Sequence, residues 1–133
     1  MMLLKADKIS EAGVLPTPEI LEEMGKYNEQ LIKAGVMLDG VGLQPSSKGA
    51  RVTFPGGKPQ VTDGPFTETK ELVAGYTIID VKSREEALEW AKRFPNPSID
   101  GGLGEIEVRP FFELEDFPPS ESIQRFREMR EGQ

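Results

Sequence analysis

Cysteine and histidine are both absent from this 133-residue chain, and the two absences exclude most of the common side-chain chemistries. Without cysteine there is no disulfide, no thiolate nucleophile and no thiolate metal site, which fits a reducing compartment. Without histidine no side chain titrates near neutrality unless its surroundings shift it. A Ser-His-Asp triad, an imidazole proton shuttle and a typical zinc site are therefore ruled out, and acid–base chemistry falls to carboxylates, Lys or Tyr with displaced pKa values. Positive charge is scarce: 16 Lys and Arg against 23 Asp and Glu leave a formal charge of −7. Nucleic-acid binders depend on neutralising phosphates, so nucleic acid is not an expected partner. Long apolar runs are missing too. Met1-Met2-Leu3-Leu4 is ended by Lys5 and Asp7, far short of a signal-peptide core or a membrane span, so the expected location is cytoplasmic with no membrane partner.

What is present suits one ordinary domain. The chain is 37% hydrophobic and 29% charged, a globular balance. A chain of this size can bury about two-thirds of its unfolded surface, enough to hold a core without staples. No cofactor and no metal site are expected; a carboxylate-only site would favour hard ions such as Mg²⁺ or Ca²⁺.

Met1 to Ala6 reads as a strand and Asp7 to Leu15 as a loop. Thr17-Pro18-Glu19 combines an N-cap, a proline suited to the first helical position and an acid in the positive first turn. Ile20, Met24, Tyr27 and Leu31 then form an apolar stripe, widened by Leu21 and Ile32, and Gly35 suits the helix end. Residues 36–43 read as a strand with a bulge or close approach near Gly40 and Gly42. Residues 44–49 are a turn, residues 50–54 a half-buried strand, and residues 55–59 a hairpin connection into Gln60-Val61-Thr62. Residues 72–81, apolar on both faces, read as the central strand. Ser83 to Glu86 is a capping box in which Glu86 reaches back to the cap. Ala87, Leu88, Ala91 and Phe94 form the buried face of that second helix, Trp90 lies at its edge, and Pro95 stops it. After a loop, residues 105–112 alternate, with Ile106, Val108, Pro110 and Phe112 on one face; Pro110 puts this strand at an edge or ends it beyond the ladder.

This order predicts an α+β fold, a ferredoxin-like antiparallel sheet with two helices on one face. The domain occupies residues 1–112. Residues 113–133 form an acidic tail with a short helix over residues 120–129, packing on the domain or on a partner subunit. Val41, Phe54, Tyr76, Ile78 and Phe111 cannot all lie under the helices, so the other face calls for a second copy, a symmetric dimer.

The segment Val61-Thr62-Asp63-Gly64-Pro65-Phe66-Thr67-Glu68-Thr69-Lys70-Glu71-Leu72-Val73-Ala74-Gly75-Tyr76 closely resembles the signature of the YCII-related proteins, in the subgroup named for Asp-Gly-Pro-Phe. Met24 to Asn28, Gly42 to Ser46, Lys82 to Ala87 and Ile106 to Arg109 extend the likeness over roughly residues 1 to 117 in one order. The resemblance implies a ferredoxin-like fold that dimerises through its sheet as a dimeric α/β barrel. It also implies, as a partner, a sigma factor of the extracytoplasmic-function type, since some members are encoded beside or fused to one. Some relatives carry a His-Asp pair suspected of catalysis. With no histidine here, only Asp63 of such a pair survives.

Two readings of Asp63-Gly64-Pro65-Phe66 stand side by side. As a turn, Asp63 accepts amides two residues on, Gly64 takes a positive φ, Pro65 fixes the next φ and Phe66 anchors the loop on the core. As a site, Asp63 is a general acid or base beside a cleft between sheet and loop, with Glu71 as its counterpart. Lys5, Arg51, Phe66, Glu68 and Tyr76 are the candidate pocket residues, Lys5 and Arg51 supplying positive charge. Tyr27 reads as a core tyrosine with one satisfied hydroxyl, and Ser46 and Ser47 as a plain turn. The function expected is a small-molecule-binding or regulatory accessory module. The alternative is a histidine-free lyase, isomerase or hydrolase using Asp63 and Glu71.

Overall fold

The computed structural model describes residues 1–132. Ten regular elements follow in order: β1 (Met2–Lys5), α1 (Lys8–Glu11), α2 (Pro18–Lys33), β2 (Met37–Gly42), β3 (Ala50–Thr53), β4 (Gln60–Asp63), β5 (Val73–Ile79), α3 (Arg84–Lys92), β6 (Ile106–Val108) and α4 (Glu121–Glu131). Four strands form one sheet in the order β2-β5-β1-β6, every neighbour antiparallel. This is the split βαβ, ferredoxin-like order. β3 and β4 stand apart as a two-stranded hairpin inserted between β2 and β5. β5 is central and β6 is an edge strand that ends before Pro110, as the sequence leads one to expect.

α2 begins where Thr17 accepts the Ile20 amide, with Pro18 in the first turn, and it ends at Ala34 with Gly35 at φ +72°. α3 begins at Ser83, which accepts the Glu86 amide at 3.1 Å. The Glu86 carboxylate returns one residue further than a capping box requires, taking the Lys82 amide at 3.0 Å rather than that of Ser83.

Both helices cover one face of the sheet. Met2, Tyr27, Leu31, Val36, Trp90 and Phe94 are the buried cluster, with Leu4, Met24, Met37, Ile79, Ile106 and Val108 packed around it. Trp90, expected at a helix edge, is a core residue only 8% exposed. Leu21 and Ile32 do not widen the buried stripe of α2: they are exposed, because the single sheet face below the helix is already filled by Tyr27, Leu31 and Met24. The β2 register shifts between Met37 and Asp39, just before Gly40. β3 is not half-buried. All four of its residues are exposed, since among the described residues β4 is its sole strand partner. Phe112 is likewise uncovered by the core and packs instead on Phe117, ring centroids 5.2 Å apart.

The Tyr27 hydroxyl donates to the Trp90 carbonyl at 2.6 Å inside the core. Burial pushes its pKa up to about 12, partly offset by the Arg93 charge. A folded pKa above the unfolded value of 10.0 means stability is full below pH 10 and is lost as pH rises towards 12. Between pH 9 and 11.5, denaturant titrations should show the wild type losing about 2 kcal/mol relative to Tyr27→Phe. Parallel losses in the two proteins would show that Tyr27 does not carry the alkaline transition.

Candidate functional site

The segment read as a loop after β1 contains α1, and the helix decides the geometry of the site. Asp7 accepts the Ser10 amide at 2.8 Å, and the Ser10 hydroxyl oxygen accepts the Asp7 amide at 3.0 Å. This reciprocal cap stabilises a helix too short to persist on propensity. It delivers Glu11 to the Gln44–Gly49 connection. One Glu11 carboxylate oxygen accepts the Ser46 amide at 3.0 Å, and the other accepts the Ser46 hydroxyl. The same Ser46 oxygen accepts the Phe66 amide at 3.0 Å. A charge-assisted pair and one further hydrogen bond therefore tie α1, the turn after β2 and the loop after β4 together.

The Asp-Gly-Pro-Phe loop is shaped by this contact and not by the rules of an isolated turn. Gly64 is absent from the positive-φ glycines. It is required because a Cβ there would lie deep inside the Ser46 carbonyl, 2.7 Å from its carbon. The Gly64 amide donates to the Gly49 carbonyl at 3.0 Å. The Asp63 carboxylate takes no hydrogen bond from neighbouring amides among the described residues, and Asp63 is exposed. Phe66 does not reach the core cluster. Its ring lies under the Arg51 guanidinium, 3.8 Å from carbon to centroid, a cation–π contact that holds the hairpin base.

Strand pairing separates two residues expected to act together. Ala50 pairs with Asp63 and Arg51 with Thr62. Neighbours along a strand point to opposite faces, so Arg51 and Asp63 lie on opposite sides of the hairpin. Glu68 and Glu71 are exposed at a short turn before β5. Lys5 ends β1, in register with Val73, and β1 touches the Thr69–Glu71 turn. Tyr76 lies in mid β5 between Leu3 and Val41, on the sheet face away from the helices. Lys5 and Glu71 thus lie on elements that touch, Arg51 and Phe66 stack, and the candidates as a set do not converge.

A cleft of about 390 Å³ opens at the end of the sheet where Lys5 and Glu71 lie, lined by Glu11, Leu43, Ser46, Lys48, Leu72 and Val73 among others. Leu43, Leu72 and Val73 are apolar liners, and Glu11, Ser46 and Lys48 add a carboxylate, a hydroxyl and an ammonium. Glu11 was not legible as a site residue, although Asp7 and Ser10, three apart ahead of it, are a capping pattern that marks a helix start. A second hollow of about 370 Å³ lies between α3 and β6. Its charged residue, Lys92, is already paired with Glu89 at 3.2 Å, and its Asn96 is engaged by the Ser98 amide and the Gly102 carbonyl. That leaves it with little to offer a polar ligand.

A family model described as the YCII-related domain matches residues 1–114. An uncharacterised protein of Rhizobium meliloti (strain 1021) is 32% identical over 91 residues, which is 68% of this chain and 72% of that protein.

Proposed function

The chain belongs to the YCII-related family, and we propose that it serves as a small-molecule-binding or regulatory accessory module of the Asp-Gly-Pro-Phe subgroup. The observation that carries this is the cleft beside Ser46. Its volume of about 390 Å³ falls within the range of ligand sites. The Glu11–Ser46–Phe66 hydrogen bonds hold the Ser46 side of the cleft in place. Lys48 is the cation at its rim, which suits a small ligand with an apolar body and an anionic group.

Carboxylate acid–base chemistry by Asp63 and Glu71 has less support. Both side chains are exposed, and neither lines the cleft. A buried setting that would raise a carboxyl pKa is what such a mechanism needs.

The reading includes a symmetric dimer closed through the open sheet face, in the manner of a dimeric α/β barrel. Leu3, Val41, Tyr76 and Ile78 share that face by register, with Val41 47% exposed. It also includes a cytoplasmic location; among the described residues no helix is long and apolar enough to cross a membrane.

Amide-resolved NMR with a library of small carboxylates and phosphates tests the binding reading. Shifts should concentrate at Ser46, Gly49 and Val73, and Leu43→Trp, which fills the cleft, should abolish them. Shifts that survive Leu43→Trp, or that map elsewhere, would contradict it.

A further inference from the structure

We infer that α4 of one chain docks on the β3–β4 hairpin of a second copy. The inference rests on the symmetric dimer proposed above and adds to it a tail exchange that the sheet contact does not require.

The first observation is area. The chain exposes 9990 Å². A compact folded monomer of 14.7 kDa exposes about 6,900 Å² by the usual size scaling. The excess of roughly 3,000 Å² exceeds the roughly 800 Å² that each partner contributes to a standard interface. A contact through the open sheet face would still leave two appendages with exposed apolar side chains.

Those appendages are the hairpin and the tail. Among the described residues β3 and β4 pair only with each other, and an isolated hairpin is marginal in water. Val52 pairs with Val61 across it, and the two are 52% and 68% exposed, with Phe54 at 69% on the same side of β3 by alternation. α4 carries Ile123, Phe126 and Met129 at successive spacings of three, on one helical face. Phe126 and Met129 are more than half exposed. Within its own chain α4 leans chiefly on the Leu114–Asp116 turn, tied by Arg127 to Glu115 at 3.8 Å.

Charge favours the contact through the segment that leads into α4. The hairpin and the turn before it, residues 44–63, hold three cations, Lys48, Arg51 and Lys58, against one acid, Asp63, in a chain whose formal charge is −7. The tail's leading segment, residues 113–121, holds four acids and no cation, while α4 itself balances three acids with three arginines. Two-fold symmetry then makes any hairpin-to-tail contact twice, which closes the assembly at two copies. The tail also lies almost wholly beyond the family match, which ends at residue 114. The exchange is thus an addition to the shared domain.

The absence of cysteine makes the test clean. Phe54→Cys and Phe126→Cys are made in separate full-length chains, mixed, and oxidised mildly. A disulfide-linked dimer is expected in the mixture, at least fivefold above either variant alone. Phe126→Glu should weaken dimerisation at least tenfold by dilution light scattering with the circular dichroism unchanged. A dimer by light scattering that gives no mixed disulfide and tolerates Phe126→Glu overturns the exchange and leaves the sheet dimer standing. It would free the tail for a different protein. A third full-length chain carrying both Phe54→Cys and Phe126→Cys that gives only an intrachain disulfide, with none in the mixture, places the tail on its own hairpin and also overturns the exchange. A monomer at all concentrations removes the dimer itself.

Discussion

Gly64→Ala is expected to destabilise the protein by about 3 kcal/mol. Overpacking a tight contact costs about 1–3 kcal/mol, and displacing Ser46 endangers hydrogen bonds worth about 1 kcal/mol each. The added methyl meets the Ser46 backbone and not the far end of a flexible side chain. Relief must therefore move a carbonyl whose residue is held from one side by Glu11 and accepts Phe66 from the other. Gly49→Ala is the matched control. Its Cβ would approach the same Ser46 oxygen at 3.6 Å, an ordinary contact, and its φ of −111° suits any residue. That change should fall within about 0.5 kcal/mol of wild type, or stabilise slightly through the unfolded chain. Urea titration of both proteins decides the matter. Equal stabilities would show that the Ser46 contact is easily relaxed and that the loop is not built around it.

The same contact explains what could and could not be seen in the sequence. Local rules located the Asp-Gly-Pro-Phe loop and the hairpin before it, because turn residues and alternation act within a few positions. They misassigned the reason for Gly64, because the atom that excludes a side chain belongs to Ser46, eighteen positions away and on another segment. The helices at Pro18–Lys33 and Arg84–Lys92 were legible through caps and stripes. α1 was missed because four residues are too short for periodicity, and its signal is only the Asp7–Ser10 pair. With α1 went Glu11 and the wall of the cleft. Arg51 was read as positive charge for a site around Asp63, yet the hairpin register puts the two on opposite faces. Chemistry that depends on pairing between segments is written in no single segment.

Apolar stripes show a related limit. Ile32 and Trp90 are both large apolar helix residues, and the sequence alone ranked them the wrong way round. Trp90→Ala should cost about 3–5 kcal/mol by chemical denaturation, the usual cost of emptying a buried aromatic site. Its ring meets Tyr27 edge-on at 6.3 Å and carries the Arg93 guanidinium 3.8 Å above its centroid. The Tyr27 hydroxyl binds the Trp90 backbone carbonyl, which alanine keeps. The loss therefore reports packing and not a broken hydrogen bond. Trp90→Phe should recover more than half of it by restoring ring volume. Ile32→Ala should change stability by less than about 0.5 kcal/mol, since Ile32 is 64% exposed. If Ile32→Ala instead costs as much as a buried residue while Trp90→Ala costs under about 1 kcal/mol, the helix faces are assigned wrongly. A loss at Ile32 that grows with protein concentration would mean that the second copy also covers this side of α2, because burial gained only on association makes stability depend on mass action.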